Sequence, residues 1–239
     1  MIRFLSYKRG KCDIIDLMNL EKFQKNLIKK DLEINDSWGR VFSFIDFGNV
    51  TYWFREDTRD VNGNTLKLGN KIWIDIQKLY DFSCVFSESI RFYYGFDSSN
   101  KGSVGFIFVS KKIFGAHKVS TKEIQQIKHY IKDSDLIKNS KFVNSDRGGD
   151  FIYIPKCNFD VEISVDAIRL IDAYDTFCLF SGDADFIKLI KFLKEKNKKI
   201  ILIKSGHIRH ELHNLADLVV NAQNIKKYIC RITQKSSQS

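Results

Sequence analysis

Four aspartates stand where an acidic reaction centre would need them. Asp46 follows the apolar run Val41-Phe42-Ser43-Phe44-Ile45, and Asp183 follows Thr176 to Phe180 and the pair Ser181-Gly182. Asp185 lies two residues further on, and Asp160 opens the helical pattern that precedes the second run. Short continuous apolar runs are the signature of strands buried on both faces, and ligands of an open parallel sheet bind outside its carboxyl ends. Carboxylates gathered there repel one another, and a divalent cation resolves the conflict. All-oxygen ligation favours Mg2+ or Mn2+ over zinc. Each acid also has an ordinary explanation: Asp183, Asp185 and Asp160 as helix caps, and Asp46 as a turn former beside Gly48. Their joint occurrence in a basic chain favours the metal, because hydrolysis of a polyphosphate backbone calls for an acidic metal centre inside a cationic protein.

Asp166 competes with Asp160 for a place in that centre. Six helical residues rise by roughly 9 Å and turn through about 240°, so one regular helix cannot aim both at the same ion. Asp160, at the helix start, is the better ligand; Asp166 supports the site or makes a structural ion pair.

Lysines offer a weaker signal. Lys188, Lys191 and Lys194 recur at intervals of three and would make one helix face cationic beside the site, a candidate path for phosphates or simply a solvated face. Lys122, Lys128 and Lys132, interleaved with His129 and Tyr130, form a second candidate for single-stranded RNA. His207, His210 and His213 invite a zinc reading, but a metalloprotease helix needs His-Glu-x-x-His, and an exposed helix face explains them more simply. The first strand lacks the Asp-x-Asp of a dehalogenase-type phosphatase, and the chain has no Gly-x-x-x-x-Gly-Lys-Ser/Thr loop.

The elements that must carry these residues alternate. Val41–Ile45, Ser89–Tyr94, Thr176–Phe180, Lys199–Lys204 and Leu218–Asn221 read as strands. Helices are expected around Ile72–Phe82, from Asp160 through Ile171, over 184–196, around Arg209–Leu215 and at the C-terminal end. Leu20, Phe23, Leu27 and Ile28 have helical spacing and predict an N-terminal helix packed on the main domain. Phe106–Phe114 and Thr121–Lys132 are also expected as helices, and Asn139–Asp150, with its Gly148-Gly149 pair, as an exposed loop. Strands alternating with helices specify an α/β doubly wound, mainly parallel sheet of about five strands flanked by helices. The expected organisation is an N-terminal extension over 1–38, a main domain over 39–233 with a variable, insertion-like region at 98–158, and a polar tail at 234–239.

Composition bounds the remaining options. The 239 residues carry 39 Lys+Arg against 29 Asp+Glu, a formal charge of +10, with 44% apolar residues and only 13 Gly and 1 Pro. Collagen-like, mucin-like and wholly disordered chains lack this apolar content. No apolar run approaches the roughly 20 residues that span a bilayer, and the first residues do not read as a signal peptide. Five scattered cysteines without a CxxC pair argue against a zinc ribbon or a disulfide framework. A reducing, cytoplasmic setting is expected.

Three blocks carry a resemblance: FIDFGNV at 44–50, DVEISVDAIRL at 160–170 and LFSGDADFIKLIKFLKEKNKKIIL at 179–202. They resemble successive motifs of the NYN domain in its LabA-like branch, within the PIN-like nuclease superfamily. Leu215-Ala216-Asp217 is similar to the stretch before that family's final strand. The resemblance spans 41–222 with gaps and implies a Rossmann-like sheet, Mg2+ or Mn2+ as cofactor and ribonuclease activity on RNA. Asp46, Asp160 and Asp183 match the acidic core, Ser181 and Asp185 belong to the Ser-Gly-Asp-x-Asp motif, and Asn49 matches the polar residue after the first Asp. Lys156-Cys157-Asn158-Phe159 departs from the family's Lys-Gly approach to Val-Asp. The implied reaction is endonucleolytic hydrolysis leaving 5′-phosphate and 3′-hydroxyl ends. Asp46, Asp160 and Asp183 would hold one or two ions, and Asp185 would ligate a second or orient the water. The alternative is a non-cleaving RNA-binding or regulatory module of the same fold; the oligomeric state stays open, a homodimer included.

Overall fold

The computed structural model describes residues 22–131 and 143–233. Residues 22–31 form helix α1, whose Ile28 packs on the core while Phe23 and Leu27 are exposed. Buried Leu32 and Ile34 complete the attachment of this segment. Leu20, the polar tail 234–239 and Lys132 lie outside the described residues.

Strands β1 (Val41–Asp46), β3 (Ser89–Phe96), β4 (Val119–Glu123), β8 (Thr176–Phe180), β9 (Lys199–Lys204) and β10 (Leu218–Asn221) form the central sheet in the order β10-β9-β8-β1-β3-β4. Every pairing in it is parallel. This is the Rossmann order, built outward in both directions from β1. It contains six strands where about five were expected; the addition is β4, at the edge.

Side chains alternate across a strand, and both faces here are apolar. Ile45, Cys178, Phe180, Ile201 and Ile203 join one core. There they meet helices α3 (Ile76–Ser83), α4 (Lys101–Phe114) and α8 (Ala222–Ile229) through Leu79, Phe114 and Ile225. Phe44, Phe177, Leu179, Ile200 and Leu202 join the other. That face is covered by α5 (Asp160–Arg169), α6 (Ile187–Glu195) and α7 (His210–Leu215) through Ile163, Ile190 and Leu212. The chain changes faces between the halves led by β1 and β8, so a crevice opens at their carboxyl ends.

Two smaller sheets correct the reading of the chain between these elements. Thr121–Lys132 is not a helix: its described part is the end of β4 and the strand β5 (Gln125–Tyr130). β5 pairs antiparallel with β7 (Gly149–Lys156), and β6 (Asn144–Asp146) pairs with β7 as well. The spacing of Lys122 and Lys128 imitates a helical face, but the β-branched Val119, Thr121, Ile124 and Ile127 favour extended backbone. Pairing with β3 and β7 satisfies it. The expected 139–150 loop is therefore a hairpin around Arg147-Gly148 over its described part. The helix expected from Ile72 begins only at Ile76, because Asp75 caps it, accepting from the N–H groups of Gln77 at 3.1 Å and Lys78 at 3.2 Å. Before it runs β2 (Lys71–Ile74), paired antiparallel with β11 (Cys230–Thr233) beyond the terminal helix.

Candidate metal centre

β1 and β8 are neighbours in register, with Ile45 opposite Phe180, so Asp46 and Ser181 leave the sheet side by side. At the end of β1 the chain turns at once into the short helix α2 (Phe47–Val50), and Asp46 Oδ1 accepts the N–H of Asn49 at 3.4 Å. At the end of β8, buried Ser181 turns its Oγ to the N–H of Asp183 at 3.2 Å, and Asp183 Oδ1 accepts the N–H of Asp185 at 3.1 Å. These local bonds fold Ser-Gly-Asp-Ala-Asp into a tight hook that presents two carboxylates. Asp160 enters at the start of α5, where the Asn158 side chain clamps it. The amide Nδ2 donates to Asp160 Oδ2 at 2.6 Å and Oδ1 accepts the Asp160 N–H at 3.0 Å.

The result is a trio: Asp160, Asp183 and Asp185 each offer a carboxylate oxygen within 4.8 Å of the others. Asp46 stands beside the trio rather than in it. Burial pushes its carboxyl up to about 6, the N–H groups of Asn49 and Gly48 work against that, and the charges of Asp160 and Asp183 add to it. Asp160 is shifted upward too, by burial first, with Asn158 opposing and Asp183 and Asp185 reinforcing. This mutual repulsion, among donors that are all carboxylate oxygens, fits a hard divalent cation such as Mg2+ or Mn2+. Capping and ligation are not rival explanations for Asp46 and Asp183, whose side chains cap the turns that follow them. Asp160 is not the expected cap, since α5 begins on it after Phe159, and Asp185 lies inside the turn that Asp183 caps.

Asp166 points elsewhere. Its Oδ2 accepts the Tyr93 hydroxyl at 2.8 Å, and Arg169 lies 3.8 Å from its other oxygen. Asn49 is engaged as well, its Oδ1 accepting the Trp53 indole N–H at 3.3 Å. Along α6, Lys188 is exposed in the first turn. Lys191 pairs with Glu211 at 2.6 Å and Lys194 with Asp217 at 2.5 Å, so both bind neighbouring elements of the fold. Asp217 also accepts the N–H of Ile200 at 2.8 Å, which makes it a fastener between β9 and the lead of β10. Lys122 donates to the Asn158 carbonyl at 2.9 Å and pairs with Glu162 at 2.5 Å, holding the segment that delivers Asp160. Lys128 bonds Asp146 within the small sheet. His207, His210 and His213 are exposed, and among the described residues the trio is the sole group of this kind.

A cleft of about 1050 Å3 opens from Asp46 and Asp183. Trp53, Trp73, Tyr94 and Phe106 line it, together with Lys156 and Arg231. Sequence reasoning missed this wall. The sequence pattern puts Trp73 in a helix, and Arg231 reaches the cleft only through the unexpected β2–β11 pairing.

Comparison with known proteins places these features. A family model described as NYN domain matches residues 40–223. The low amplitude and bright protein LabA of Synechococcus elongatus is 35% identical over 78 residues, 32% of this chain. The match spans 42% of that relative's length. Among solved structures, a protein of unknown function from Vibrio parahaemolyticus, VPA0982, superposes with a TM-score of 0.52 at 21% identity. It covers 82% of this chain and 99% of its own. That likeness concerns the fold.

Proposed function

Since the chain belongs to the NYN domain family, we propose that it is a metal-dependent endoribonuclease that hydrolyses RNA phosphodiester bonds. The observation that carries the reading is the convergence of Asp160, Asp183 and Asp185 at the switch point of the sheet, with Asp46 beside them. Asp160, Asp183 and Asp185 would hold Mg2+ or Mn2+, and Asp46 would complete the ligand set from the side of the cleft. Bound there, the cation lowers the pKa of water and offsets charge on the phosphate oxygens.

The chain's own residues do the rest. Asn158 and Ser181 fix the carboxylates before substrate arrives, which removes reorganisation from the reaction itself. Lys156 and Arg231 put positive charge in the cleft, where an RNA backbone would lie. Water adds to phosphorus and releases a proton to solvent as the bond to the 3′ oxygen breaks. The products are a 5′-phosphate and a 3′-hydroxyl, the latter taking its proton from solvent. We also propose a cytoplasmic setting, from the five scattered cysteines without a CxxC pair. No helix among the described residues is long and apolar enough to cross a membrane.

Purified protein with Mg2+ or Mn2+ is expected to cut RNA, and Asp46→Asn and Asp183→Asn are each expected to abolish cutting. Protein that binds diverse RNAs with either ion present yet leaves them intact would be the non-cleaving module.

A further inference from the structure

The cleft that begins at Asp46 and Asp183 ends on the β2–β11 ribbon, which stands outside the central sheet. Trp73 and Arg231 are paired across this ribbon. Directly opposed residues share a face, and both line the cleft, so the indole and the guanidinium project into it together. Tyr52, in the turn after α2, lines it as well. These aromatic rings are left in water, Trp73 48% exposed and Tyr52 60% exposed.

Behind them lies a second hollow of about 270 Å3, lined by Thr51, Tyr52, Arg55, Lys71, Ile72 and Trp73. Tyr52 and Trp73 therefore stand between two concavities. Each concavity has its own cations: Lys156 and Arg231 on the carboxylate side, Arg55 and Lys71 on the far side. The Arg55 guanidinium lies 5.5 Å from the centre of the Tyr52 ring. Exposed rings between cations, continuous with a site for phosphodiester chemistry, match the requirements of an unpaired strand. Its bases have free π-faces, and its phosphates follow at regular intervals.

We propose that Trp73 and Tyr52 form a base-stacking platform for single-stranded RNA, with Arg231 and Arg55 neutralising the flanking phosphates. The platform positions the strand so that it runs from the carboxylates along the cleft and across Trp73 into the second hollow. A duplex cannot use it, because its bases already stack on each other. The inference rests on the ribonuclease reading of the carboxylate site, and it assigns Trp73 a positioning role.

The test measures binding of a labelled single-stranded oligoribonucleotide by fluorescence anisotropy in EDTA, and then cleavage kinetics with Mn2+. Trp73→Ala should weaken binding by about 5- to 150-fold, the loss of one stacked base. It should raise KM while leaving kcat in place, and Trp73→Phe should recover most of the affinity. Tyr52→Ala, outside every sheet, should show a loss of the same kind without disturbing strand pairing. The matching duplex should bind more weakly and be indifferent to Trp73→Ala. Unchanged affinity and KM in both alanine variants, or equal losses for duplex and single strand, would overturn the platform, as would failure of the unaltered protein to bind. If Trp73→Ala weakens binding but no preparation cuts RNA, the ribonuclease reading fails and the platform stands. If Asp183→Asn abolishes cutting while both alanine variants keep the normal KM, the reverse holds.

Discussion

The Tyr93 hydroxyl donates to Asp166 Oδ2 at 2.8 Å, which ties the buried middle of β3 to α5, the helix that delivers Asp160. Burial and the Asp166 carboxylate together push the Tyr93 phenol far above its ordinary range, so it remains a donor at every accessible pH. Asp166→Ala leaves a buried hydroxyl without its acceptor and is expected to cost about 1–3 kcal/mol, and Tyr93→Phe, which removes a hydrogen bond to a charged group, about 1.5–3 kcal/mol. Urea denaturation of both variants checks this. Losses below about 0.5 kcal/mol in both would show that the bond is not what holds α5.

Asp46 predicts how metal and pH interact. Its folded-state carboxyl is raised to about 6, so without metal the fold favours the protonated form. The associated stability is complete below the unfolded value near 4 and is lost as pH rises through about 6. The loss amounts to about 3 kcal/mol at pH 7. A bound divalent cation compensates the charge. Mn2+ should therefore raise Tm more at pH 7 than at pH 5, and a thermal shift independent of pH would contradict this.

Gly95 lets the chain before Asp160 approach β3. A Cβ there would come 2.7 Å from Cys157 Sγ and 2.8 Å from its Cβ, and Cys157 immediately precedes the Asn158 that clamps Asp160. Gly95→Ala is expected to weaken Mn2+ binding by on the order of tenfold, the usual scale for disturbing groups that orient ligands. Cys157→Gly should restore affinity in that background. Isothermal titration of the two variants decides; normal binding by Gly95→Ala would mean the clamp tolerates displacement.

Much of the site could be read from the chain because it is built locally. The four acids sit at the ends of apolar runs and at a helix start, and the Ser-Gly-Asp-Ala-Asp hook folds through bonds between near neighbours. Helical rotation separates Asp166 from Asp160, and Asp166 accepts from Tyr93 instead. The strands β8 and β9 were legible to the residue, being continuous runs buried on both sides, and so was β10, a half-buried edge strand. The parts that failed depend on partners far away in sequence. The stretch over 121–130 becomes strands only because β3 and β7 are there to pair with it. Trp73 faces a cleft only because the chain returns at Arg231. The tightest group of oxygens contains Asp185 in place of Asp46, a distinction that depends on where the hook turns and has no counterpart in spacing.

The loop after α2 is pinned from the opposite end of the chain. Lys226 is only 6% exposed, and its Nζ donates to Asp57 Oδ2 at 2.7 Å and to the Arg59 carbonyl at 2.6 Å. Asp57→Ala would leave that ammonium buried without its counter-charge, at a cost of about 3 kcal/mol or more. Lys226→Met combined with Asp57→Leu replaces the pair by apolar volume and should recover most of the loss. Chemical denaturation distinguishes them, and an equally unstable double variant would show that the pair stabilises through more than mutual compensation.

The identity of the carboxylate cluster as a metal centre is tested most directly by anomalous diffraction from crystals soaked in Mn2+. A peak bonded to Asp160, Asp183 and Asp185 and bordering Asp46 is the predicted result. Occupancy should fall sharply in Asp183→Asn. A well-diffracting crystal with no Mn2+ among these carboxylates, or with the ion bound at the exposed histidines of α7 instead, would contradict the account.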